Sequence, residues 1–290
     1  MPEANLRERL VTAIDMPIVS LDPMQVGFGL AGAVATLKTG QRVAIKARQN
    51  ESGADSSLAL EGAMLADLRR LSDFPVPEVY VAEPDLLVMD YIENDGAPIT
   101  PDVERDAAAL VASLHATPRA NFGYERDTLI GPLHQPNPRT ANWVLFFRDH
   151  RLLYMAKAAK DEGGLSQPLF ERIERFAERL ADYLSEPSHP SLVHGDLWTG
   201  NVLTRDNRIA GFIDPAIYFG HPEIELAFTT MFGTFGHAFF KAYEDILPLE
   251  PGFHEVRRDI YNLYPTLVHV RLFGGSYVAA VDRILTKFGA

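Results

Sequence analysis

Residues 192–203 read LVHGDLWTGNVL, and the fold turns on how this stretch is interpreted. His194, Asp196, Trp198 and Asn201 stand between apolar ends, Leu192 and Val193 on one side, Val202 and Leu203 on the other. A buried strand has no use for the polar residues, and a solvated loop has none for the flanks. The pattern fits a loop anchored at both ends that offers polar groups to a ligand. Six residues on, a β-like run IAGFID (209–214) begins after a turn RDNR (205–208) and closes on Asp214-Pro215.

Transfer of a phosphoryl group from a nucleotide needs a carboxylate to orient the acceptor hydroxyl and oxygen ligands to hold magnesium against the phosphates. His-x-Asp-x-x-x-x-Asn followed by a strand-ending Asp supplies both, and is the pattern of a kinase catalytic loop with its metal-binding element. Asp196 is the expected catalytic residue, accepting the acceptor's proton. Asn201 and Asp214 are the expected Mg²⁺ ligands, and Gly195 gives the loop its backbone freedom.

That chemistry makes demands upstream. A strand lysine should reach the α- and β-phosphates of ATP, and a helical glutamate should hold it. VAIK (43–46) puts Lys46 at the end of an alternating strand, and Glu61 lies on the next helix expected from the sequence. Glu51 competes for the role but sits in a loop-like Gly/Ser/Asn-rich stretch. GFGLAG (27–32) places Gly27, Gly29 and Gly32 before the lysine strand, where glycines let backbone amides approach phosphate oxygens. LLVMDYI (86–92) reads as a hinge whose backbone at Met89, Asp90 and Ile92 meets the adenine edge.

The rest of the chain fits a two-lobed α+β protein. Its 290 residues, 47% hydrophobic and 23% charged, are of globular composition. A short helix at 3–14, β-like runs across 18–47, a helix at 56–71 capped by Ser56 or Ser57, and two strands within 77–92 form an N-terminal nucleotide-binding lobe, residues 1–93. Residues 94–290 form a mainly helical catalytic and substrate-binding lobe. Its helices are expected near 102–116, 142–160, 168–184, 222–247 and 253–286, interrupted by strands at 201–204 and 209–214. There is no cysteine, which excludes disulfides and thiolate chemistry and fits a cytoplasmic chain. The charged opening MPEANLRERL does not read as a secretory signal, and no apolar run is long enough to span a membrane. A net charge of -12 argues against nucleic acid and anionic membrane as partners and suits a neutral or cationic small substrate.

Several stretches carry a narrower likeness. LHATPRANFGYERDTLIGPLHQPNP (114–138), NWVLFFRDHRLLYMAK (142–157), LVHGDLWTGNV (192–202), FIDPAIYFGHPEIELAFTTMFG (212–233) and LYPTLVHVRLFGGSY (263–277) resemble the fructosamine kinase (ketosamine-3-kinase) family. That family is a branch of the aminoglycoside phosphotransferase and choline kinase-like enzymes. The resemblance implies a protein-kinase-like fold, ATP with Mg²⁺, and phosphorylation of the 3-hydroxyl of a fructosamine or other ketoamine, free or on a protein lysine. The unstable 3-phosphate then releases the amine, so the implied role is deglycation. Trp198 would offer the cationic ketoamine an aromatic face; Trp143, His221 and His269 are further substrate candidates. Glu223 and Glu225 are expected to brace the loop. Family members often carry a cysteine in the phosphate loop; its absence leaves a monomer without disulfide-linked dimers as the expectation. The alternatives are a related kinase acting on an aminoglycoside, choline or another hydroxyl compound, and an ATP-binding pseudokinase.

Overall fold

Alternation along Arg42–Arg48 gives the two faces of the first sheet different work. The computed structural model describes residues 3–48 and 57–290. In it Val43, Ile45 and Ala47 join Leu10, Ile18, Leu37, Leu86 and Val88 in one buried core. Lys46 takes the other face and meets the following helix. The expected competitor Glu51 and the expected cap Ser56 lie outside the described residues.

Contacts divide the chain into two compact units: residues up to Pro98 together with Asn201–Pro215, and Ile99–Gly200 together with Ala216–Ala290. The first unit holds α1 (Glu3–Ile14), β1 (Ile18–Met24), β2 (Leu30–Leu37), β3 (Arg42–Arg48), α2 (Ser57–Leu71), β4 (Val79–Glu83) and β5 (Leu86–Asp90). The strands form one antiparallel sheet in the order β1-β2-β3-β5-β4. Gly62 lets α2 lie flush on it, because a Cβ at that position would stand 2.6 Å from Ala82 Cβ. Such close approach is a reason for glycine inside a helix, where it costs about 1 kcal/mol relative to alanine.

The sequence places a single boundary near 93, whereas the contacts return residues 201–215 to the first unit. This segment is a hairpin, Val202–Arg205 against Arg208–Phe212, turned by Asp206 and Asn207 at φ 52° and 58°. Positive φ at both central residues is the type I′ geometry that matches strand twist. Phe212 stacks on Phe74 at 4.3 Å, its N–H donates to Pro75 O at 2.8 Å, and Thr204 Oγ1 donates to Ala97 O at 2.8 Å.

The second unit is mainly helical. α3 (Pro101–His115) starts at the cap Thr100 with proline in its first turn. α4 (Trp143–Phe147) and α5 (Tyr154–Asp161) are joined by a wide π-type turn, Arg148–Leu153, so the expected helix at 142–160 has an expanded middle. α6 (Gln167–Ala177) ends earlier than expected, followed by a short 3₁₀ turn at Leu180–Asp182. The long helices expected at 222–247 and 253–286 are broken. α7 (Pro222–Met231) and α8 (His237–Glu244) part around Gly233, at φ 63°; α9 (Arg258–Tyr261) and α10 (Leu263–Phe273) part from α11 (Ser276–Lys287) at Gly274 and Gly275. Two strand pairs were not expected: Thr128–Ile130 with Leu133–Gln135, and Ser191–Val193 with Tyr218–Gly220. The second pair fixes the start of the 192–203 loop.

Candidate active site

In the first unit, Lys46 Nζ donates to Glu61 Oε1 at 2.7 Å and to Asp214 Oδ1 at 2.5 Å. Burial alone lowers an ammonium's pKa; the carboxylates of Glu61 and Asp214 outweigh it and raise Lys46 above its ordinary value. The lysine is 7% exposed and stays charged through the neutral range. Asp214 adopts φ 56°, a left-handed backbone that costs a non-glycine residue about 1–2 kcal/mol. Asn201 is buried, and its carbonyl accepts Ile213 N–H at 3.1 Å, tying the end of the loop to the residue before Asp214.

The candidate phosphate loop is a tight turn. Leu30 N–H donates to Gly27 O at 3.3 Å across Phe28 and Gly29, at φ 56° and 71°. Space above Gly27 and Gly29 is open, and the Phe28 ring is exposed. Gly32 does other work: a Cβ there would stand 2.4 Å from Met24 O, so it permits the packing of β1 on β2. At the candidate hinge, Met89 is buried and the Asp90 carboxylate accepts from Tyr80 O–H at 2.5 Å and Glu78 N–H at 3.2 Å. Ile92 packs over Gly211, and its carbonyl accepts from Asn94 Nδ2 at 3.0 Å.

In the second unit the loop is held by its own backbone. Ala216 N–H donates to His194 O at 2.7 Å, and His194 Nδ1 accepts Asp196 N–H at 3.3 Å. Gly195 stands at φ 85°, where a Cβ would lie 2.1 Å from Ala216 O. Its N–H donates to Glu225 Oε1 at 2.7 Å. Glu225 Oε2 pairs with His115 Nε2 at 2.8 Å, and His115 Nδ1 with the Tyr243 hydroxyl at 2.8 Å. Glu225 therefore braces the loop. Glu223 does not; it takes a bidentate contact from Arg257 at 2.6 Å.

Beside this loop lies a partly open pocket, lined among others by Asp196, Glu225, Tyr218, Tyr264 and His269. His269 Nδ1 bonds Pro265 O at 2.7 Å, and burial lowers its pKa. Trp198 is 39% exposed and stands edge-on to Phe232, which in turn contacts the His269 ring at 5.1 Å. Of the four expected substrate contacts, His269 lines the pocket and Trp198 connects to it through Phe232. The other two are built into the core. Trp143 is wholly buried among Phe122, Phe146, Phe147 and Tyr261, with Nε1 donating to the Tyr261 hydroxyl at 2.9 Å. His221 caps α7 by accepting Glu223 N–H at 3.1 Å, and burial pushes its pKa down to about 3. Tyr218 and Tyr264 line the pocket without having been singled out. The signal for them was their place within FIDPAIYFG and LYPTLVHV, stretches that mark the family.

The family model described as fructosamine kinase matches residues 14–289. A protein of Enterococcus faecium named "probable ketoamine kinase" is 37% identical over 228 residues, which cover 76% of this chain and 80% of that protein. A Thermobifida fusca crystal structure named "putative fructosamine-3-kinase" superposes with a TM-score of 0.88 at 28% identity, over 97% of this chain and 98% of that one. An aminoglycoside phosphotransferase solved with ADP and hygromycin B shares the fold at a TM-score of 0.69 and 16% identity, over 99% of both chains. No described helix is long and apolar enough to cross a membrane.

Proposed function

The chain belongs to the fructosamine kinase family and is an ATP-dependent phosphotransferase, and from that premise we propose that it phosphorylates the 3-hydroxyl of ketoamines. Breakdown of the 3-phosphate product would free the amine, making the enzyme a deglycation repair kinase. The ketoamine acceptor is supported by the family match, and the observation that supports the phosphotransfer chemistry is the Lys46 ammonium bridging Glu61 and Asp214. A buried strand lysine paired with a helix carboxylate is what phosphate positioning requires.

In this reading Glu61 aims Lys46 at the α- and β-phosphates, and the glycine turn at Gly27 and Gly29 covers them. The backbone at Met89, Asp90 and Ile92 meets the adenine. ATP supplies the phosphoryl group, with Mg²⁺ to neutralise its charge. One carboxylate, Asp214, and one amide oxygen, Asn201, are a set that suits magnesium, which keeps waters and phosphate oxygens as its other ligands. Asp196 orients the acceptor hydroxyl and takes its proton. Trp198 and His269 flank the amine side of the acceptor. Positioning and charge neutralisation supply most of the rate gain.

The test is a turnover screen with fructose- and ribulose-derived lysine adducts, free sugars, choline and aminoglycosides. Ketoamines should be phosphorylated with kcat/KM at least tenfold above the other classes. Preference for an aminoglycoside or choline would replace the acceptor, and tight ATP binding without turnover of any acceptor would favour a pseudokinase. Mapping the phosphate on the product by NMR decides the 3-hydroxyl.

A further inference from the structure

Gln135-Pro136-Asn137 and Arg151 belong to the stretches that mark the family, yet the reading above gives them no task. Arg151 sits in the wide turn between α4 and α5 and is wholly buried. Its guanidinium is held by neutral groups: Pro136 O at 2.7 Å, His150 O at 3.0 Å and Asn137 Oδ1 at 2.6 Å. It also lies over the Tyr218 ring at 3.9 Å and the Phe146 ring at 4.6 Å.

From this cation a chain of hydrogen bonds runs to the pocket, and donor and acceptor inventory fixes its direction. A guanidinium only donates, so Asn137 Oδ1 accepts and Asn137 Nδ2 donates, to Arg126 O at 3.2 Å and Thr128 Oγ1 at 2.7 Å. Gln135 Nε2 donates to Ala216 O at 3.1 Å, a carbonyl that only accepts, and to Thr128 Oγ1 at 2.8 Å. Thr128, receiving two protons, sends its own to Ile217 O at 3.3 Å. Gln135 Oε1 is then an acceptor, and the Tyr264 phenol donates to it at 2.6 Å. Burial pushes the Tyr264 pKa up, so the phenol keeps its proton. With that proton committed to Gln135, the Tyr264 oxygen can only accept from anything else.

Tyr264 lines the same pocket as Asp196. Its neighbours there share its polarity: Asp196 is acidic, and neutral His269, whose Nδ1–H donates to Pro265 O, presents a lone pair at Nε2. Ile130, Ile224 and Val268 supply apolar wall. Such a lining favours a ligand rich in hydroxyl and ammonium donors and disfavours an anion.

We propose that Tyr264 is a specificity-determining residue: its oxygen, oriented by the Arg151–Asn137–Thr128–Gln135 relay, accepts a hydrogen bond from a donor group of the acceptor substrate. The pocket thereby selects polyhydroxylated amines in their ammonium form over sugars that carry phosphate or carboxylate. This rests on the function proposed above, in placing the acceptor beside Asp196.

The experiment is steady-state kinetics of the full chain and of Tyr264→Phe, varying fructosyl-lysine and ATP in turn, with melting temperatures measured alongside. Phenylalanine keeps the ring and removes only the oxygen. The acceptor KM should rise about 3- to 30-fold while the ATP KM stays within twofold. Arg151→Lys, which keeps the charge and loses the fork, should move the acceptor KM in the same direction. Fructose 6-phosphate should not inhibit the wild type at concentrations where fructosyl-lysine saturates. A lowered melting temperature with an unmoved acceptor KM would make the relay purely structural and overturn the proposal, as would equal rises in both KM values. Inhibition by fructose 6-phosphate in the same range as fructosyl-lysine would overturn the selectivity. A wild type that turns over no ketoamine sinks the proposed function itself, whereas ketoamine turnover with an unchanged acceptor KM in Tyr264→Phe sinks only this inference.

Discussion

Lys46 Nζ stands 2.5 Å from Asp214 Oδ1 although 168 residues separate the two in the chain. The contact exists because the 202–212 hairpin packs on Phe74 and Pro75 and so returns Asp214 to the unit that carries Lys46. A single ammonium thereby joins the sheet, through β3, to α2 and to the residue after Ile213.

Replacing this lysine should damage both stability and nucleotide binding. Lys46→Met leaves Glu61 and Asp214 without the cation between them. The expected loss is about 1–3 kcal/mol, below the usual cost of breaking a buried pair because the Asp214 side chain is 41% exposed and partly screened. The Lys46 pKa is raised from 10.5, so its contribution is complete below that pH and fades as pH rises through the folded value. The difference between wild type and variant in chemical denaturation should be flat from pH 6 to 9. A gap that closes in that range would mean the ion pair is not its source.

Asp196 and Asp214 have different expected tasks, and substitution separates them. Asp196→Asn should lower kcat about 10²- to 10⁴-fold, the range for loss of a general base, with ATP affinity within threefold of wild type. Asp214→Ala should weaken Mg·ATP binding as well as turnover. Isothermal titration with a non-hydrolysable ATP analogue, beside a coupled assay, reads both quantities. Substantial turnover in Asp196→Asn would remove that residue from its role.

Local pattern made much of this molecule readable. VAIK followed by an amphipathic helix points to Glu61 as the partner of Lys46, and the structure joins them at 2.7 Å. Helical period placed α3 within a residue of its observed bounds. What escaped depends on distant partners. Trp143 and His221 have the residue types of ligand contacts, but Tyr261 and Arg257, more than thirty residues downstream, help to bury them. Tyr264 sits among apolar residues and reads as core; its acceptor oxygen follows from Gln135, 129 positions away. The breaks at Gly233 and at Gly274-Gly275 interrupt an apolar period that continues past them, and three-residue strands such as Thr128–Ile130 are too short to show a period at all.

Gly195 offers a test of the loop that does not touch its acidic residue. A methyl group there would lie 2.1 Å from Ala216 O on a backbone at φ 85°, so Gly195→Ala must shift the loop. Turnover should fall at least 100-fold, with about 2–4 kcal/mol lost in stability. Gly27→Ala meets open space and should leave the melting temperature within about 2 °C of wild type, while changing the ATP KM if the turn covers phosphate. Equal tolerance at both positions would show that the loop geometry at Gly195 is not required.

His221 sets the expected acid limit of stability. Its folded pKa is near 3 because burial, with the charge of Arg257 and the proximity of His115, disfavours the imidazolium. The unfolded chain binds a proton at His221 near pH 6.5, and the folded chain does not until far lower pH. Protons therefore favour the unfolded state, and stability falls as pH drops from about 6.5 towards 3, by about 1.4 kcal/mol per pH unit once below the unfolded value. His221→Asn keeps a side-chain acceptor for Glu223 N–H and removes the titration. Denaturation midpoints between pH 6.5 and 4.5 should decline less steeply in the variant, by about one proton's worth of slope. Parallel declines in the two proteins would place the acid sensitivity elsewhere, with the partly buried His269 the next residue to replace, since burial lowers its pKa in the same direction.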